Sequence, residues 1–248
     1  MTSKMTLPLL AIAAIGLTAP NAVSAQTAPV PLKEAKLIIE HNATDNDTGF
    51  QGFIDSEGWQ SLTVTGPGGE VLHFEGRGSL AELGVTELFF ETVEPENADI
   101  PVDVMLGKLP AGEYVIKGPT MINGESGGQT IGKAKLTHAI PNGPELLEPA
   151  EGATVPVEAM EVRWGAVDTT ITGDPVSIVS YQLIVEKDEA PAPHSIGKRA
   201  LSVYLPASVT QLEIPAGFLE PGTAYKWEVL AIAESGNQTL SSGAFSTE

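Results

Sequence analysis

Apolar and polar residues alternate with a period of two along most of this chain, in short runs bounded by glycine, proline and asparagine. That is the signature of half-buried antiparallel strands. In the first half, Ala35-Lys-Leu37-Ile-Ile39-Glu reads as a first strand. Trp59-Gln-Ser-Leu62-Thr-Val64-Thr joins Val71-Leu-His-Phe74 across Gly66-Pro-Gly-Gly69 as a hairpin. Leu109-Pro-Ala-Gly112-Glu-Tyr114-Val-Ile116 and Ile131-Gly-Lys-Ala-Lys-Leu136-Thr-His read as a returning hairpin. Ser79–Gly84 and Asp99–Leu106 predict short helical turns, the second with Asp99 as its cap and Pro101 in its first turn. Thr86-Glu-Leu88-Phe89-Phe90-Glu-Thr between them is apolar enough for an inner strand.

The last third is more regular. Pro144–Pro156 predicts an irregular first strand, Ala159–Trp164 a second and Ile178–Glu186 a third. Ala200–Leu205, Val209–Ile214 and Gly243–Thr247 fill further slots at the spacing of a β-sandwich. In Leu219-Glu-Pro221-Gly222-Thr223-Ala-Tyr225-Lys-Trp227-Glu-Val229, proline and glycine make the turn and Tyr225, Trp227 and Val229 then share one face. This run resembles the entry to the sixth strand of a fibronectin type III domain, and the resemblance covers about residues 143–248. It implies an immunoglobulin-like sandwich with a tyrosine corner, in which the Tyr225 hydroxyl bonds back to nearby backbone. No Arg-Gly-Asp loop is present, so the integrin-binding function of adhesive modules is not implied. The Leu109-Pro-Ala-Gly-Glu-Tyr114 entry echoes the same turn. The whole chain also resembles secreted bacterial proteins that carry such a domain and have no known function. The expected fold is therefore all-β: two tandem sandwich-like domains, 35–140 with short helices and 143–248 of fibronectin type III type.

The N-terminus supplies an expected address. Lys4 precedes the apolar run Leu7–Leu17, and Ala22-Val-Ser-Ala25 before Gln26 is a small-residue cleavage site, as in a signal peptide over 1–25. Eleven apolar residues are too few to cross a bilayer core of about 30 Å, so a membrane anchor is not expected. An Ala/Pro-rich spacer over 26–34 should be extended and mobile. The chain has no cysteine, which removes disulfides, lipidated cysteine and thiolate chemistry and fits the periplasm or the bacterial exterior. The formal charge is −19, and −20 once Lys4 leaves with the leader. Such a surface repels nucleic acid.

Candidate chemistry is sparse. The loop Glu40–Glu57 concentrates oxygen ligands on a glycine-bearing backbone, which is what Ca²⁺ needs, with Asp45, Asp47, Asp55 and Glu57 as the expected ligands. No register satisfies the EF-hand template, and a polar loop bonding its own backbone is the competing reading. Trp59 is a candidate stacking platform for a sugar or peptide. His41, His73, His138 and His194 show no paired-ligand spacing, His73 reads as a side chain facing across a strand pair, and no nucleophile motif occurs. Asn42, Asn46 and Asn237 read as turn residues. The resulting expectation is an exported, non-catalytic protein binding a protein or glycan. In it the first domain makes the contact and the second serves as spacer or docking surface. The alternative is a secreted hydrolase or its carbohydrate-binding accessory module.

Overall fold

The computed structural model describes residues 28–191, 193–194 and 200–248. The expected signal peptide and its cleavage site lie outside these residues. Among them the chain forms two β-sandwiches with sixteen strands and two short helices.

The first sandwich contains β1 (Val30–Pro31), β2 (Glu34–Asn42), β3 (Asp47–Trp59), β4 (Ser61–Gly66), β5 (Gly69–Glu75), α1 (Ser79–Leu83), β6 (Val85–Glu91), α2 (Val102–Leu106), β7 (Gly112–Ile122) and β8 (Glu125–Leu136). One sheet runs β5-β4-β7-β8, with β1 lying parallel to β8 on its outer edge. The other runs β2-β3-β6. Leu37, Ile39, Phe50 and Ile54 of the second sheet meet Leu62, Tyr114, Ile116 and Leu136 of the first in a closed core. The second sandwich contains β9 (Leu146–Glu148), β10 (Ala153–Val155), β11 (Glu161–Trp164), β12 (Ile178–Lys187), β13 (Ala200–Pro206), β14 (Gln211–Glu213), β15 (Ala224–Ala233) and β16 (Gln238–Thr247). Its sheets run β13-β12-β15-β16 and β14-β11-β9, and β10 lies parallel to β16. Trp164, Tyr181, Tyr225 and Trp227 fill its core, as their alternation requires.

The two sandwiches therefore share one plan: a four-stranded sheet whose last strand carries a parallel edge strand, facing a three-stranded sheet. The echo between the two turn sequences has the same origin. The Tyr114 hydroxyl donates to the Pro110 carbonyl at 2.8 Å, and the Tyr225 hydroxyl accepts the Glu220 N–H at 2.8 Å. Each tyrosine thus pins the turn that delivers its own strand.

Several local expectations change. The stretch expected as a calcium loop is mostly β3, a 13-residue strand. Its glycines serve close packing: a Cβ on Gly49 would stand 2.6 Å from Glu94 Cγ, and one on Gly52 would overlap the Phe90 ring. The spacer is not free at its end, because Val30 and Pro31 pair with Thr130 and Ile131 and the Leu32 N–H donates to Ile131 O at 2.9 Å. β6 is an edge strand pairing only with β3, and Phe89 on it is 57% exposed. Asp99 does not cap α2: Pro101 holds the N-cap position without a side-chain bond.

Candidate functional site

The sandwiches meet along an edge that involves both sheets. β2 of the first pairs in parallel with the start of β16 of the second, Glu40 to Asn42 against Gln238 to Leu240. Further along, Ala244 N donates to Glu151 Oε2 at 2.9 Å and Gly152 N donates to Ala244 O at 2.8 Å, leading into the β10 pairing. Between these two partners, Ser242 N donates to Thr44 Oγ1 at 2.8 Å. The outer edge of β16 is thus covered by β2, Thr44 and β10 in turn, which removes an exposed row of backbone donors and acceptors.

Asn237 fastens this junction. It is 1% exposed, and its Oδ1 accepts the Ile39 N–H at 3.0 Å. Its Nδ2 donates to Thr137 O at 3.0 Å and Ala139 O at 2.9 Å. One side chain therefore ties the β15–β16 turn to β2 and to the inter-domain linker. The turn fits there because Gly236, at φ +90°, brings it down onto Ile38. The linker is held elsewhere as well: Thr239 Oγ1 donates to Pro141 O at 2.6 Å, Ile171 N to Ile140 O at 3.0 Å, and Asn142 N to Thr169 O at 2.9 Å.

An acidic cluster sits on the same junction. Carboxylate oxygens of Glu40, Glu91 and Glu94 lie within 4.8 Å of one another. β2 and β6 carry the first two, and the segment after β6 carries the third. Gln238 donates to Glu40 across the domain boundary, and Gln51 Nε2 donates to Glu91 Oε1 at 2.8 Å. Glu94 Oε1 and Asp47 Oδ1 are buried atoms without a partner. Burial pushes the Glu94 carboxyl up to about 7, with Glu40, Glu91 and Asp47 adding repulsion. Burial likewise raises Glu40, which also feels Glu91 and Glu228 and is held back by its Gln238 bond. Three clustered carboxylate oxygens serve either a hard cation, which takes six to eight oxygens, or a retained proton.

The residues expected to bind calcium do not converge. Asp47 faces Asn42 at one end of the β2–β3 hairpin and Asp55 faces Glu34 at the other. Eight residues of extended strand separate them by about 26 Å. Glu57 pairs with Lys33 at 3.2 Å, and Asp45 accepts the Asn42 Nδ2 at 2.9 Å. Asn42 behaves as a turn residue, its Oδ1 accepting the N–H groups of Thr44 and Asp45. Trp59 is 2% exposed and belongs to the first core, so its ring faces carry no ligand. His73 Nδ1 meets Thr63 Oγ1 across the β4–β5 pair at 3.1 Å. His41 is 7% exposed, and its Nδ1 donates to Asp47 O at 2.8 Å. Burial holds the ring below the usual histidine range.

Sequence reasoning missed Glu40, Glu91 and Glu94 as a group. Glu40 projects from the face of β2 opposite Ile39, and Glu91 and Glu94 lie about fifty residues away. Only the β2–β3–β6 register brings them together, and no spacing in the chain announces it.

Strand order and site together define the class: a tandem β-sandwich protein with fibronectin type III-like topology and a hydrogen-bonded domain junction. No protein-family model matches the chain, and neither does any curated protein. Among solved structures it is similar to a two-domain fibronectin type III segment of chicken tenascin, at 13% identity and a TM-score of 0.31, covering 87% of this chain and 99% of that one. The fold assignment rests on the strand order described above.

Proposed function

We propose that this chain is an exported, non-catalytic binding or spacer protein whose two sandwiches act as one stiff unit. The observation that supports it is the junction, where the edge of β16 and the linker are hydrogen-bonded from residue 137 to residue 142 and from 237 to 244. A flexible tether would leave these groups to water, whereas here they fix one orientation and present a long, strongly acidic surface. The partner is a protein or glycan outside the cytoplasm. Spin labels in the β4–β5 turn at Gly68 and in the turn before β15 at Gly222 test the stiffness by pulsed dipolar distances. One narrow distribution is expected, and a broad one overturns the proposal. Export is tested separately by sequencing the N-terminus of extracellular or periplasmic material, where Gln26 is expected and a retained Met1 counts against it.

A calcium dependence of that contact fits Glu40, Glu91 and Glu94 better than the Asp45 hairpin end. Its support is the buried, unpartnered Oε1 of Glu94 within the cluster, with the Asp47 carboxylate close enough to repel it. Ca²⁺ at 100 times its dissociation constant raises folding stability by about 2.7 kcal/mol. Calorimetry at pH 8 should show a Ca²⁺ shift exceeding that of Mg²⁺ and lost in Glu91→Gln/Glu94→Gln. Equal shifts for the two ions, or a shift kept in the double variant, would mean general screening of the acidic surface.

A further inference from the structure

Two sheet edges of this fold are closed from within the chain: β1 lies along β8, and β2, Thr44 and β10 lie along β16. β6 has no such cover and pairs with β3 alone. The ladder between them decides which of its backbone groups face outward. Glu91 stands opposite Gln51, and one residue further on Thr92 N donates to Phe50 O at 2.9 Å, so Thr92 and Phe50 form a hydrogen-bonded pair. Such pairs alternate along an antiparallel ladder, which makes Phe90 with Gly52 and Leu88 with Ile54 hydrogen-bonded as well. Glu87, Phe89 and Glu91 therefore turn their N–H and C=O groups away from β3, and no other described residue takes them up.

The side chains of the same three residues share the outer face of the sheet and are exposed, Phe89 by 57%, whereas Leu88 and Phe90 pack on the core. Phe89 stands opposite half-buried Phe53, and the rows on either side are acidic, with Glu87 opposite Asp55 and Glu91 opposite Gln51. Among the described residues none of these three carboxylates has a cationic partner. Lys36, across Phe53 on β2, pairs with Glu34 at 3.4 Å instead. From Glu87 to Glu91 the strand also lacks the lysine, proline or bulge that commonly blunts an edge.

We propose that the outer edge of β6 takes up an extended segment of a partner protein with the pattern basic–apolar–aromatic–apolar–basic. Backbone bonds to Glu87, Phe89 and Glu91 add the segment to the sheet as a fourth strand. Residues opposite those three fall on the outer face about 5 Å away, so cations meet Glu87 and Glu91 while a ring covers Phe89. The residues between them point to the other face and extend the apolar cover over Leu88 and Phe90. A second copy of this chain is a poor occupant, because antiparallel pairing of β6 with itself about Phe89 sets Glu87 against Glu91 twice over. The proposal rests on the binding role proposed above and makes its partner specific, but it lies wholly within the first sandwich and needs no fixed domain orientation.

The test is amide hydrogen exchange of the ¹⁵N-labelled full chain, read by NMR with and without an acetylated, amidated peptide of sequence Thr-Lys-Val-Tyr-Val-Lys-Thr. In the free chain the N–H groups of Glu87, Phe89 and Glu91 should exchange fast and those of Leu88 and Phe90 slowly. Peptide at about 5 mM, above the millimolar constants of weak sites, should slow the first three at least tenfold. The scrambled peptide Lys-Lys-Thr-Val-Val-Tyr-Thr should not. Glu87→Lys, at an exposed position, should weaken binding about tenfold by turning one attractive cross-strand pair repulsive. Phe89→Pro should abolish binding, since it removes an outward N–H that takes no part in the β3 ladder, and Leu88 and Phe90 should keep their protection. If Phe89→Pro fails to fold, Glu87→Lys decides alone. No slowing at the three alternate amides would overturn the proposal. Equal slowing by the scrambled peptide would overturn it too, reducing the effect to general attraction of cations by an acidic surface. Slow exchange of the three in the free chain would mean that the edge is already closed, by a second copy where the mass doubles. A narrow spin-label distance in the same preparation would confine any such failure to β6 and leave the stiff junction standing.

Discussion

Replacing Asn237 by alanine tests the junction most directly. The substitution leaves the Ile39 N–H, in a residue with no exposure, without an acceptor, at a cost of about 1 to 3 kcal/mol. The carbonyls of Thr137 and Ala139 also lose a donor. Those residues are half-buried and exposed, so water replaces part of the loss, at about 0.5 kcal/mol each. The expected total is about 2 to 4 kcal/mol, read as a lower urea midpoint of the full chain. The damage should also loosen the inter-domain geometry, because the lost bonds join β2, the linker and the β15–β16 turn. Dipolar distances between Gly68 and Gly222 should broaden while both cores persist, with near-ultraviolet circular dichroism unchanged at low denaturant. Asn237→Asp sharpens the test. Its carboxylate still accepts from Ile39 N–H but faces two carbonyl oxygens, which raises its folded pKa above the unfolded value of about 3.9. The stability of that variant is therefore fully present below about pH 4 and falls as pH rises through the folded pKa, so it should be weaker at pH 8 than at pH 4 relative to the parent. A midpoint for Asn237→Ala within about 0.5 kcal/mol of the parent, with an unbroadened distance, would refute the assignment of Asn237 as the fastening residue.

Glu94 should make stability fall with rising pH. Its folded pKa of about 7 lies above the unfolded value of 4.5, so its contribution is present below about 4.5 and lost as pH rises toward and through 7. Parent minus Glu94→Gln isolates this from His41, whose lowered pKa acts with the opposite sign, and a flat difference across pH 4.5 to 8 would contradict it. Tyr225→Phe should cost about 0.5 to 2 kcal/mol in urea unfolding, because the Glu220 N–H loses its partner while the ring stays packed between Phe245 and Phe218. A variant as stable as the parent would remove the tyrosine corner from the account.

The alternating runs were legible because period-two burial writes itself into sequence, and it did so at Tyr225, Trp227 and Val229 as at Leu62 and Val64. The tyrosine corners were legible too, since a proline–glycine turn with a tyrosine at fixed offset is local information. β3 was hidden by its own composition. Gly49, Gln51, Gly52 and Asp55 read as a polar loop, yet the strand is buried almost continuously from Thr48 to Gly52. It is covered on one side by its core and on the other by the segment that carries Glu94. Its glycines answer close approach by Glu94 and Phe90, which lie some forty residues downstream and leave no trace near Gly49. Asn237 reads as a turn residue and does sit at a turn, but its work is done through bonds to residues about 100 and 200 positions away.

The junction resolves a liability that the fold itself creates. An open sandwich ends in edge strands with unpaired N–H and C=O groups, and β16 is the edge of the second four-stranded sheet. Its far half is covered from within the domain by β10, as β1 covers β8 in the first sandwich. Its near half is left for a partner, and β2 takes that place in parallel. Pairing of this kind fixes both translation and rotation of one domain against the other, because a slip of one residue would turn Glu40 away from Gln238 and His41 out of the core. Between β2 and β10, Thr44 Oγ1 accepts the Ser242 N–H at 2.8 Å and donates to the Ser242 carbonyl at 3.3 Å, so the handover is itself bridged from the first sandwich. A variant that melts the β2–β16 pairing should lose inter-domain rigidity, read as broadened dipolar distances, while both cores stay folded.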